Sequence, residues 1–249
     1  MMSIGSYIDQ LSLPNTPAQQ LRRTPEAITP EVEIPADLSA AINAGSVLSF
    51  VEGVSHDEAE DVLFSTHLAS WGASGKFDKF TEPRAWYQKY VEILENIGWV
   101  GEQFAFVNAN QSEGEVKMDQ AALAIITAIA TQNQLAVLKE TIGALEKLAD
   151  GDGKITLFDF HSSSEDAGNF QIGSVQKASN GSLSMALGAF HFRAVDKRKK
   201  FLFFKWGQSE INLWTGAQKM TLNRTLYGMV REKVKAKLAG IAAKNIDFL

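Results

Sequence analysis

The chain has 249 residues, 45% of them apolar and 21% charged, and carries a net charge of −5. That is enough apolar material for one large core or two packed lobes. It contains no cysteine, which excludes disulfides, thiolate metal sites, Fe–S clusters, a cysteine nucleophile and thioether or thioester lipid anchors.

Five of the six prolines, Pro14, Pro17, Pro25, Pro30 and Pro35, fall in residues 1–36. Proline removes a backbone donor and biases its predecessor away from helix, so this stretch reads as an arm. Its first ten residues lack a basic segment followed by an apolar one, and cytoplasmic synthesis is the expectation. Residues 37–150 read as mainly helical. Asp37 is expected to cap a helix carrying Leu38, Ala41, Ile42, Leu48 and Val51. Ser55 and Glu58 form a capping box that opens a second helix, expected to end near Trp71-Gly72. A third helix, with Thr81 as cap and Pro83 in its first turn, carries Trp86, Tyr90, Ile93, Leu94 and Ile97 and stops at Gly98. Trp99–Val107 reads as a strand. Residues 119–149 read as a helical hairpin or one long helix, and Thr131 and Gln134, a second capping box, favour a break between two helices. Ala121–Ala130 is apolar nearly all round, so burial on every side is expected.

After Gly151 the apolar period changes to two, and residues 151–249 read as an antiparallel sheet plus a terminal helix. Strands are expected over Lys154–Phe160, Asn169–Val175, Ser182–Phe192, Lys200–Trp206 and Glu210–Thr215. Asn180-Gly181 is a hairpin turn dipeptide. Phe201-Leu202-Phe203-Phe204 is apolar on both faces and reads as a central strand. The last helix starts near Asn223, with Val230, Val234 and Leu238 on one side and Arg231, Lys233, Lys235 and Lys237 on the other. The fold class is therefore α+β: an N-terminal helical layer packed on a C-terminal antiparallel β-meander with a terminal amphipathic helix.

Charge is divided unevenly. Residues 1–192 hold 11 Lys/Arg against 25 Asp/Glu, whereas residues 193–249 hold 13 against 4. Lys197, Arg198, Lys199 and Lys200 sit at an expected hairpin tip, and Arg231 and Lys235 lie on the basic helix face. Together they compose a candidate surface for an anionic lipid membrane or an acidic protein. The alternative is that the basic end docks on the chain's own acidic helices. Nucleic acid is disfavoured by a pI of about 5.5, and no apolar run is long enough to span a bilayer.

Signals for chemistry are sparse. Asp150, Asp152 and Asp159 partly copy a calcium-binding loop, with Gly153 as the turn glycine and Ile155 at the eighth position. Leu148 stands at the first ligand position, Asp159 replaces the bidentate Glu, and a strand is expected to follow. The loop therefore reads as a helix C-cap, and no metal or other cofactor is expected. His56, Glu60 and His67 share one helical face, but the acidic neighbours make it a solvated helix start. His191 reads as a hydrogen-bonded core histidine. Gly72-Ala73-Ser74-Gly75-Lys76 lacks the spacing of a phosphate-binding loop, and Ser174-Val175-Gln176-Lys177 places S-x-x-K in a strand without companion motifs.

The string Trp86-Tyr87-Gln88-Lys89-Tyr90-Val91-Glu92-Ile93-Leu94-Glu95-Asn96-Ile97-Gly98-Trp99-Val100, with Phe201-Leu202-Phe203-Phe204-Lys205, resembles a group of functionally uncharacterised bacterial proteins over residues 80–240. The resemblance implies a bacterial source and brings no activity. The sequence favours a non-enzymatic interaction protein acting at anionic membrane surfaces, toxin- or effector-like. The alternatives are an enzyme with a site between helices and sheet, and a subunit of an oligomeric assembly.

Overall fold

The computed structural model describes residues 4–14, 39–101, 106–109, 115–148, 153–164, 166–194, 201–207, 210–239 and 246–248. Helix α1 (Ile4–Gln10) is followed by a hairpin of β1 (Ala40–Asn43) and β2 (Ser46–Phe50). A helix was expected there. The apolar spacing fits both periods, and what decides is that every residue of both strands is buried, inside a sheet rather than along one helix stripe. Ala44 makes the turn with a positive φ of 51°.

Helix α2 (His56–Ser74) starts at the expected capping box: the Glu58 N–H donates to Ser55 Oγ, and the Ser55 N–H donates to Glu58 Oε2 at 2.8 Å. It runs to Ser74, past the expected end, and is buried almost all round. Helix α3 (Pro83–Asn96) has Pro83 in its first turn, with Glu82 rather than Thr81 at the cap. Gly98, with φ 114°, turns the chain into β3 (Trp99–Gly101). The long strand expected over Trp99–Val107 is present as β3 and β4 (Val107–Asn108), with residues 102–105 outside the described set. After β5 (Glu115–Lys117), α4 (Met118–Thr127) and α5 (Gln132–Lys147) form the helical hairpin. Thr131 and Gln134 cap α5 reciprocally. Helix α4 corrects the expectation of all-round burial: it buries Met118, Ala122 and Ile126, while Ala124, Thr127 and Ala128 face outward.

Lys154–Phe160 is not a strand but part of α6 (Gly153–Ser162). Its β-branched and aromatic residues favour a strand locally. Burial of Ile155, Phe158 and Ser162 at helical spacing against the sheet overrides that preference. Strands β6 (Ala167–Lys177) and β7 (Leu183–Ala194) form the expected hairpin, turning at Asn180-Gly181 with Gly181 at φ 80°. Lys200–Trp206 is also corrected. Phe201–Phe203 is a 3-10 turn whose Phe201 ring packs on Phe158, Phe170 and Phe192, and only β8 (Lys205–Gly207) is strand. A four-residue apolar run can plug a core as well as cross one. Strand β9 (Ile211–Leu222) is longer than expected. The terminal helix starts at its Asn223 cap but is broken into α7 (Arg224–Gly228) and α8 (Arg231–Leu238), before β10 (Ile246–Phe248).

The main sheet runs β10-β1-β2-β6-β7-β9-β3, with β4 also on β9; β5 and β8 pair separately. Every pairing is antiparallel except β2 with β6. The sheet is covered on both faces. One core joins Val175, Met185, Leu187 and Met220 to α1, α2, α3 and α8; the other joins Phe170, Ile172, Phe190 and Leu213 to α4, α5, α6 and the 3-10 turn. The chain is thus α+β, as the change of period indicated.

Candidate functional site

The basic C-terminal helices lie against the acidic face of α2. Arg231 donates from Nε and Nη2 to Asp61 Oδ1 and Oδ2 at 2.6 and 2.5 Å, a bidentate pair on a fully buried carboxylate. Lys235 reaches Glu60 at 2.5 Å, and Lys233 reaches Asp9 of α1 at 2.6 Å. Glu58, 1% exposed, takes both Arg224 at 2.8 Å and Lys177 at 2.9 Å. Burial alone would raise its pKa, but the bond from Lys177, the Ser55 N–H and the Arg224 charge hold it below the usual carboxylate range. Arg231 and Lys235, two of the candidate surface cations, therefore have partners within the chain. Lys197, Arg198, Lys199 and Lys200 lie outside the described residues.

The metal candidates do not converge. Asp150 and Asp152 lie outside the described residues, and Asp159 is on helix α6 instead of closing a loop. His67 is buried, with Nδ1 at 2.6 Å from Asn43 Oδ1, while Glu60 turns to Lys235 and His56 is exposed beside Asp57. Among the described residues no group of three His, Asp or Glu side chains could hold a metal ion.

Two of the cavities among the described residues adjoin the sheet or its turns. The larger, about 460 Å³, lies between the start of α3 and the sheet and is lined by Thr81, Arg84, Phe106, His191 and Trp214. His191 is buried as expected, with Nδ1 at 3.0 Å from the Gly168 carbonyl and its ring stacked on Trp214 at 5.4 Å. Burial pushes its pKa down to about 4, so it is neutral at physiological pH. The smaller, about 140 Å³, is lined by Ser70, Trp71, Ser74, Lys79 and His161, with Pro14 and Ala44. Nothing in the sequence singles out Lys79; it belongs to no motif, and its surroundings come from the β1–β2 turn and α6, two segments whose residues suit both strand and helix.

A third feature is a surface. At the Gly98 turn, β3, the end of β9 and α7 meet: Trp99 pairs with Leu222, and the Asn223 N–H donates to the Gly98 carbonyl. Around this junction Val100 is 65% exposed, Leu226 39% and Met229 72%. Lys219, on β9, is exposed close to Val100, and the two cations Arg224 and Lys177 share the carboxylate of Glu58. Among the described residues no helix is long and apolar enough to cross a membrane.

No family model and no curated protein matches the chain. Three solved structures resemble it in layout. A delta-endotoxin aligns with a TM-score of 0.43 and 13% identity, over 80% of this chain and 88% of its own. The Evf virulence factor aligns with a TM-score of 0.37 and 12% identity, over 83% and 86%. The activated Cyt2Ba monomer from Bacillus thuringiensis subsp. israelensis aligns with a TM-score of 0.43 and 10% identity, over 72% and 97%. Likeness at this level assigns no function.

Proposed function

We propose that this is a non-enzymatic interaction protein of toxin or effector type that works at anionic membrane surfaces, and that it meets them with the β3–α7 end of the sheet. The observation that carries the reading is the exposure, at this end of the sheet, of Val100 close to the cation Lys219 on the neighbouring strand, and of Leu226 and Met229 on and just after α7, whose first residue is the cation Arg224. Apolar side chains can enter the headgroup boundary while neighbouring cations stay with anionic lipid. Residues 197–200 follow β7 from Ala194. The register sets Ala194 against Ile211, and Leu183 against Leu222 at the other end of the strand. At about 3.3 Å per residue the two ends of β7 are roughly 35–40 Å apart, and residues 197–200 themselves lie outside the described residues.

The expected result is pelleting with anionic vesicles and little with neutral ones, weakening with salt because the screening length is about 8 Å at physiological ionic strength. Val100→Asp and Met229→Asp should each lower pelleting severalfold without changing the melting temperature, since both side chains are exposed. Equal pelleting with both lipids, or none, removes the reading. Loss only on changing Lys197, Arg198, Lys199 and Lys200 to Gln would move the contact from the β3–α7 end to that basic run.

A second reading, an enzyme with its site between helices and sheet, draws on the 460 Å³ cavity, where Arg84 offers a cation and His191 a neutral imidazole beside Trp214. A ligand-fragment screen by NMR tests it. Saturable hits that perturb His191 and Trp214 support this reading, and hits confined to other surfaces remove it.

A further inference from the structure

The smaller cavity is rich in hydrogen-bond donors and poor in negative charge. Lys79 is half-buried; its Nζ donates to the His161 carbonyl and lies 5.2 Å from the centre of the Phe80 ring. Ser162 Oγ is fully buried and has no hydrogen-bond partner. Lys79 Nζ and Ser162 Oγ lie 3.0 and 3.3 Å from the point a Cβ on Gly45 would occupy, so both are packed closely around Gly45. On the α2 wall, Ser70 and Ser74 line the cavity. Ser74 Oγ accepts from Trp86 Nε1 at 2.9 Å, which leaves its own proton to donate. Among the described residues no carboxylate lines the space. The nearest acid in sequence, Asp78, spends one carboxylate oxygen on the N–H groups of Phe80 and Thr81, at 2.9 and 2.8 Å.

We propose that this cavity binds a small oxyanion, a carboxylate or phosphate group, with Lys79 as its counter-cation and the Ser70 and Ser74 hydroxyls as further donors. A volume of about 140 Å³ holds several water molecules and so an ion of acetate or phosphate size. The electrostatics agree. Burial lowers the Lys79 pKa to about 7, with Asp78 only partly opposing it, because an enclosed ammonium without an anion opposite is costly. An oxyanion would supply that missing partner, and hydrogen bonds with a charged partner are the strong ones. The proposal is independent of the membrane reading, since Val100 and Met229 take no part in the cavity.

The test is the melting temperature of the full chain with acetate or inorganic phosphate, against chloride at equal ionic strength. NMR shift mapping of the same titrations supplies a second measurement. A saturable rise with acetate, phosphate or both, together with shifts at Gly45, Ser70 and Ser74, is expected. The rise should vanish in Lys79→Met, and Ser70→Ala should weaken the apparent affinity severalfold while folding normally. If Lys79→Met fails to fold, the shift map and Ser70→Ala decide. No effect beyond chloride, an unchanged effect in Lys79→Met, or shifts confined to Arg224, Lys219 and α8 overturns the proposal. Whether acetate or phosphate gives the larger rise identifies the class of ligand.

Discussion

Arg231→Met is expected to destabilise the protein by about 3–5 kcal/mol, the range for removing one partner of a buried ion pair. Asp61 has no solvent-exposed side-chain surface, and both of its oxygens are held by the Arg231 guanidinium. The charge is therefore left in the core with its main donors gone. The adjacent pair is the internal control. Lys235 and Glu60 are 31% and 18% exposed, so Lys235→Met should cost about 1 kcal/mol or less. Urea unfolding of the two variants measures both. Equal costs would show that the Arg231 pair is no more buried in effect than a surface pair. Adding Asp61→Asn to Arg231→Met should recover part of the loss, because the orphaned charge goes with it. The comparison also bears on membrane binding. If α8 is a strut clamped to α2, variants at Arg231 lose lipid pelleting only by losing stability, whereas Val100→Asp and Met229→Asp lose pelleting with stability intact.

Local signals with a fixed geometry were legible in the sequence. The capping boxes Ser55–Glu58 and Thr131–Gln134, the Pro83 start, the Gly98 stop and the Asn180-Gly181 turn stand where residue chemistry puts them. Segments whose apolar residues suit two periods were not legible. Ala40–Phe50 is buried on both faces of a strand, and Gly153–Ser162 carries strand-forming residues on a helix; only the packing partner decides such cases. Both misreadings bear directly on the candidate sites. The β1–β2 turn supplies Ala44 and Gly45, and α6 supplies His161 and Ser162, so the Lys79 cavity exists only once these two elements are placed. The charge asymmetry is visible in the sequence, and among the described residues part of it is met within the chain: Asp61 and Glu60 on α2 meet Arg231 and Lys235 across about 170 residues of sequence.

Stability is expected to fall steeply on mild acidification because two histidines are buried in neutral form. Burial lowers the pKa of His67 to about 3, with the nearby His161 adding to the effect, and that of His191 to about 4. In the unfolded chain both return to about 6.5. Between the folded and unfolded values the unfolded state binds more protons, so stability is lost as pH falls through 6.5 and keeps falling until the folded values are reached. Each histidine contributes up to about 1.4 kcal/mol per pH unit, or roughly 4 kcal/mol for the pair between pH 7.5 and 5. Glu58 and Asp78 act in the same direction but lower down: their folded pKa values lie below the ordinary 4.5 and 3.8, so the stability they add is lost only as pH falls below about those values. Lys79 acts in another window. Its folded value of about 7 lies below the ordinary 10.5, so it adds stability as pH rises from 7 towards 10.5 and contributes little in acid. The window from pH 6.5 to 5 therefore belongs to the histidines. Urea unfolding at half-unit steps should show the loss, and His191→Gln should remove close to half of the slope. His67→Gln should remove a similar share, although it also disturbs the 2.6 Å bond to Asn43 and lowers stability at every pH. A flat profile across that window, or a slope unchanged in both variants, would mean that these two rings are open to protons in the folded protein.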